Sequence, residues 1–271
     1  MGDPRSRLPV VYLPHGGGPM SYVEFGLRAD EVQVLANYWR SVGRLPSPAP
    51  RAVLVVSAHW EAAVPTVMTS PHPPMLYDYG GFPSAAYTIE WPAPGHPVLA
   101  ERVRALLATA GLPSASDPER GFDHGTFVPL GRCFPQADVP TIQLSLHNNL
   151  DPGEHIEIGR ALAPLRDEGV YIIGSGLSFH NMRAFMDADD VDRHADRFDA
   201  WLQETIGLPK HERNARLTAW DQAPSARAAH PREEHLMPLM VVAGAAGADV
   251  GHIPFSGTLM GKRISAVQFG H

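Results

Sequence analysis

Apolar positions fall into two patterns along this chain, short unbroken runs and longer stretches with helical spacing. Residues 8–13 form a β-rich run that ends in Pro14-His15-Gly16-Gly17-Gly18-Pro19, which predicts a buried strand feeding a tight loop. Residues 29–42 place Val32, Leu35, Ala36 and Trp39 at helical spacing and predict an amphipathic helix. Residues 51–58 lack polar alternation, as a strand covered on both faces does, and end at His59. The Pro-, Gly- and Tyr-rich stretch 70–95 predicts a long ordered loop. Helices are predicted over 97–110, 153–166, 189–206 and 233–246. Strands are predicted over 139–146, running into His147, over 170–173, leading to Gly174-Ser175-Gly176, and over 263–269. This alternation predicts an α/β fold, one domain over 1–271 with a central, mainly parallel or mixed sheet flanked by helices. No repeat, low-complexity segment or interdomain linker interrupts it.

Composition narrows the partners. A net charge of −7, without a basic run, argues against nucleic acid or an anionic membrane surface. No apolar stretch approaches the roughly 20 residues of a membrane span, and the first residues lack the apolar core of a signal peptide. The single cysteine, Cys133, leaves no internal disulfide and suits a reducing compartment, so a cytoplasmic protein is expected. The oligomeric state stays open, a homo-oligomer included.

The fourteen histidines set the chemical question. In open α/β sheets ligands gather beyond the carboxyl ends of the strands. Three predicted strands finish at or near His15, His59 and His180, so a shared rim would bring these imidazoles together. Imidazole suits iron, zinc, copper and nickel. His235 is a fourth candidate, at the start of a predicted helix. Ferrous oxygenases typically combine two histidines with one carboxylate, and either Glu233 or Glu234 can supply it, or His235 can take its place. His124, in a predicted loop beside Asp123, is a candidate proton-transfer or hydrogen-bonding group. Trp60, Tyr77, Tyr79, Phe82 and Phe179 can wall a flat aromatic substrate.

Six motifs in fixed order resemble one family. They are Pro14-His15-Gly16-Gly17-Gly18-Pro19, Ser57-Ala58-His59-Trp60-Glu61, Tyr77-Asp78-Tyr79-Gly80-Gly81-Phe82-Pro83, residues 123–130 (DHGTFVPL), residues 174–181 (GSGLSFHN) and residues 234–239 (EHLMPL). The resemblance is to the DOPA 4,5-dioxygenase-like branch of the class III extradiol ring-cleavage dioxygenases, and it covers nearly the whole chain. It implies one metal held by His15, His59 and His235. The match to His180 is either a further ligand, as with zinc, or an acid/base beside the metal. The match to His124 is implicated in binding substrate or oxygen. The expected activity is cleavage of a catechol by dioxygen to a muconic semialdehyde, with Fe(II) as the working ion and Zn(II) as a metal the site can also bind. The loop His15-Gly16-Gly17-Gly18 departs from the commoner His-Gly-Ser-Pro, which bears on the choice of substrate.

Three other readings are weighed against it. A serine hydrolase would need a Gly-x-Ser-x-Gly elbow, and the sequence has none. A zinc hydrolase or lyase would use the same histidines to activate water. A non-catalytic metal-binding protein would bind the ion without consuming oxygen.

Overall fold

The computed structural model describes residues 7–186 and 193–271. Its strands are β1 (Val10–Pro14), β2 (Ala52–Ala62), β3 (Thr66–Met68), β4 (Ala115–Asp117), β5 (Thr141–His147), β6 (Val170–Gly176), β7 (Gly251–Leu259) and β8 (Lys262–Phe269). Its helices are α1 (Ala29–Val42), α2 (Pro97–Thr109), α3 (His124–Cys133), α4 (Pro152–Leu162), α5 (Met182–Met186), α6 (His194–Ile206), α7 (Lys210–Thr218), α8 (Ala226–Ala229) and α9 (Met237–Ala246).

The strands join one mixed sheet in the order β4-β3-β5-β2-β6-β1-β8-β7. Its centre, β5-β2-β6-β1, is parallel; β3 runs antiparallel to β5 but parallel to β4, and β8 runs antiparallel to both β1 and β7. The carboxyl ends of β1, β2, β5 and β6 therefore share one rim, as the apolar runs predicted. Neighbouring residues of β6 face opposite layers. Gly174 abuts Pro238 and Val242 of α9, while the Ser175 hydroxyl meets the Gly125 carbonyl of α3.

Helix α9 is apolar and buried along its whole length, as a helix surrounded by protein should be. Its approach to α4 depends on two glycines. A Cβ at Gly159 would lie 1.9 Å from the Val241 carbonyl oxygen, and one at Gly244 would lie 2.0 Å from that of Ile156.

Several expectations need correction. His124 does not lie in a loop but opens α3, a helix hidden from pattern reading by Gly125, Pro129 and Gly131. Strand β2 runs through His59 to Ala62, and its register with β5 slips between Val56 and Glu61. Helix α9 starts at Met237 rather than residue 233, because Pro238 fits its first turn and Leu236 N–H closes a turn onto the Glu233 carbonyl. The helix predicted over 189–206 is described from His194 onward, and its first residues lie outside the described residues. Strand β7, over a stretch for which no element was predicted, contains Gly251, Pro254 and Gly257, residues that weaken a strand pattern but are tolerated at a sheet edge.

Candidate metal centre

Local structure brings five histidines to the carboxyl rim. His15 follows β1, and its N–H donates to the Gly176 carbonyl at 3.0 Å. The chain then turns through Gly16 and Gly18, both at positive φ, and Phe82 fills the place a Cβ at Gly18 would take, 2.7 Å away. His59 stands in the irregular part of β2, with its N–H on Ser57 Oγ at 3.2 Å, and Ser57 Oγ–H in turn donates to Asp123 Oδ1 at 2.8 Å. His180 N–H donates to the Ala229 carbonyl at 3.0 Å. The His235 carbonyl accepts from Tyr12 Oη–H at 2.7 Å and from Leu177 N–H at 3.2 Å. Segments 177–181 and 228–235 are thus laced together, which fixes His180 and His235 relative to β1 and β6.

The rings of His15, His59 and His235 form a nearly equilateral triangle, with centroids 4.8, 5.0 and 5.1 Å apart. Three imidazoles bound to one ion at about 2.1 Å, at angles of about 90–109°, would hold their centroids about 4.6–5.3 Å apart and their nitrogens about 3.0–3.4 Å apart. The Nε2 atoms of His15 and His59 are 3.2 Å apart. The donor set therefore fits a single ion. His124 fits this triangle less well, at 4.0 Å from His59 and 5.6 Å from His15, although its ligand atom falls within 4.8 Å of theirs. His180, Glu234 and His235 form a second close group. There the two imidazoles stack at 3.4 Å with planes 15° apart.

Protein acceptors face the Nδ1 side of every one of these rings. Ser175 has a single hydroxyl proton and gives it to the Gly125 carbonyl, so toward His15 it must accept. His15 therefore carries its proton on Nδ1, 3.1 Å from Ser175 Oγ, and leaves the Nε2 lone pair free. Asp78 lies 2.8 Å from His124 Nδ1 and 3.5 Å from His59 Nδ1. Glu234 Oε1 lies 2.8 Å from His235 Nδ1 and 3.3 Å from His180 Nδ1. Each carboxylate thus bridges one corner of the triangle to one histidine outside it.

Electrostatics favour the neutral, metal-binding form of the corners. Burial, with the surrounding imidazoles, holds His15 well below its usual pKa and pulls His59 down to about 4. His235 is also driven well below its usual value by burial, which outweighs the bond to Glu234. Burial alone would raise the Glu234 carboxyl, but hydrogen bonds from His180 and His235 outweigh it and keep the group ionised.

The match to known proteins follows the same frame. Residues 9–267 match the family described as the catalytic LigB subunit of aromatic ring-opening dioxygenase. The chain belongs to this family. It is 41% identical over 266 residues to a 4,5-DOPA dioxygenase extradiol of Beta vulgaris, covering 96% of each chain. Its identity to the Escherichia coli K12 protein of that description is 35% over 270 residues, 98% of this chain and 96% of the other. It is 36% identical to dioxygenase tasH of Hapsidospora irregularis, over 88% of this chain and 78% of that one. A crystal structure of an uncharacterized Escherichia coli K12 protein superposes with a TM-score of 0.78 at 33% identity, covering 97% of this chain and all of the other.

The candidate walls of this ring-opening dioxygenase are only partly assembled around the histidines. Tyr79 stands 5.6 Å from the His124 ring and 5.3 Å from Phe82, with its hydroxyl tied to the Ala86 carbonyl. Trp60 is buried under the Arg120 guanidinium, 4.8 Å from its ring, and among the described residues makes no ring contact with the five histidines. Glu233 pairs with Arg227 at 2.6 Å, so Glu234 is the acid that reaches the site. A hollow of about 530 Å³ beside the cluster is lined by His180, Asn181, Arg183, Pro231, Arg232 and Glu234. Sequence reasoning missed Asp78, Ser175 and Tyr12 as supports. The only signals for them were Asp78 between two tyrosines and Ser175 between two glycines ahead of His180. No helix among the described residues is long and apolar enough to cross a membrane.

Proposed function

We propose that this dioxygenase opens a catechol ring beside its hydroxyls, using one ferrous ion held by His15, His59 and His235, to give a muconic semialdehyde-type product. The triangle of neutral imidazoles carries the reading, because three histidines at that spacing could hold one ion and would leave coordination positions for substrate and oxygen. When bound, ferrous iron would relay electrons from the catechol, which is the species oxidised, to dioxygen and be ferrous again at the end; zinc fits the same nitrogens and has no redox chemistry with which to do so.

The remaining residues handle protons and position. His180 and His235 stack with ring centroids 3.4 Å apart and planes 15° apart, so their in-plane lone pairs run nearly parallel and would not converge on one ion. His180 is therefore the acid/base of this pair rather than a fourth ligand. Its side chain is 21% exposed against 5% for His235, so it can exchange protons with solvent. His124, with Nδ1–H given to Asp78, turns an unprotonated Nε2 toward the centre and can accept a catechol proton. Tyr79 and Phe82 offer flat apolar faces beside it. The relatives described as acting on DOPA suggest a catechol of that kind.

The test is anaerobic loading with ferrous iron, then oxygen-electrode screening of substituted catechols, DOPA included. Catechol-dependent oxygen uptake with a yellow semialdehyde is expected, and zinc-loaded protein should be silent. No uptake across the panel would overturn the reading in favour of hydrolytic or purely binding chemistry.

A further inference from the structure

We propose that Asp78 is a positioning residue that holds His124 in a single tautomer, with Nδ1 protonated and Nε2 open to the centre. One oxygen, Oδ1, accepts both the His124 Nδ1–H at 2.8 Å and the His124 backbone N–H at 2.9 Å. A carboxylate only accepts, so the ring nitrogen facing it must carry the proton. The second oxygen lies 3.5 Å from His59 Nδ1, too long for a strong hydrogen bond, which leaves His124 as the group Asp78 chiefly controls.

The residues on either side of Asp78 are themselves tied down. Tyr77 Oη–H donates to the Ile89 carbonyl at 2.9 Å and Tyr79 Oη–H to the Ala86 carbonyl. At the base of the loop, Phe122 N–H donates to Pro74 O at 2.8 Å and Leu76 N–H to Phe122 O at 2.7 Å. The loop bearing Asp78 and the entry to α3 bearing His124 are therefore one unit. A site residue supported this way keeps its geometry while substrate enters. The plain alternative is that Asp78 only caps α3, since the N-cap residue Asp123 spends its carboxylate on Ser57, Gln143 and Arg120 instead.

Two measurements separate these roles, and only the second rests on the ring-opening reading. In zinc-loaded protein with ¹⁵N-labelled histidine, NMR should find His124 as the Nδ1–H tautomer in the wild type and in Asp78→Asn, which keeps a neutral acceptor. Asp78→Ala should give a mixture. An unchanged tautomer in Asp78→Ala would overturn the proposal. In the iron-loaded enzyme, Asp78→Ala should lower kcat about 100-fold with metal content and KM near wild type. Asp78→Asn should recover most of that loss. Within a His124→Ala background, Asp78→Ala should add less than about twofold. A full additional loss there, or metal lost in parallel with activity, would mean that Asp78 acts through the fold or through His59. If the wild type consumes no oxygen with any catechol, the ring-opening reading fails, and the tautomer measurement still decides the role of Asp78.

Discussion

The two ends of helix α9 bury polar groups in opposite ways. Beyond its carboxyl end, the Arg213 guanidinium, fully buried, donates to the carbonyls of Ala243, Gly247 and Asp249. Arg166, equally buried, donates to Leu8, Ala245 and Ala246 and pairs with Asp249 at 2.6 Å. These cations meet the carbonyls a helix end leaves without partners. Before the amino end, His235 and its neighbours spend one ring nitrogen each on a protein acceptor and keep the other in reserve. Saturation makes a clamp. An orderly shortage of partners makes a binding site, because the missing partner is left for a ligand to supply.

If that contrast is right, changes at the two ends should separate function from stability. The largest effect is expected from His235→Ala or His59→Ala, which should abolish stoichiometric metal binding and turnover while far-UV circular dichroism stays native. Metal retained by either variant would remove that residue from the triangle. His180→Ala should lower kcat about 100-fold with metal content preserved. Loss of the ion instead would make it a fourth ligand. At the other end, Arg213→Ala should cost about 3 kcal/mol in urea unfolding, because three carbonyls, that of Ala243 buried, lose their donor, with metal affinity per folded molecule unchanged.

A pH-dependent effect concerns His230, buried behind the site with Nε2–H on the Ser178 carbonyl. Burial pulls its pKa from 6.5 down to about 3, so the unfolded chain takes up a proton before the folded one does. Its contribution is therefore complete above pH 6.5 and is lost as the pH falls toward 3. The slope is at most about 1.4 kcal/mol per pH unit. Metal-free protein followed by urea unfolding between pH 7 and 4 should lose stability as the pH falls, with His15, His59 and His235 acting in the same direction, and His230→Asn should be flatter by up to this slope. Parallel profiles for the two proteins would refute the assignment.

The parts of this architecture that were legible share a physical cause. Strands β1, β2 and β6 lie inside the sheet and are covered on both faces, so their sequences are unbroken apolar runs whose ends mark the rim and its histidines. Helix α1 has one wet face, and its period shows. Helix α3 has neither advantage, being almost wholly buried and rich in weak helix formers, so His124 read as part of a loop. The supports were hidden for another reason. Asp78 meets His124 across 46 residues and Ser175 meets His15 across 160, and no local pattern encodes such a meeting. The choice between Glu233 and Glu234 depended on how one turn faces, which became visible only when Arg227 claimed the first and the histidines the second.

The bare contact of α4 with α9 at Gly159 and Gly244 couples the histidine cluster to places far from it. A methyl group at either glycine is a wedge against main-chain atoms, which have no rotamer with which to yield. The helix must then shift as a rod, carrying its amino-terminal neighbour His235 away from β1. A change at the candidate metal centre can thus originate most of a helix length from the imidazoles that form it.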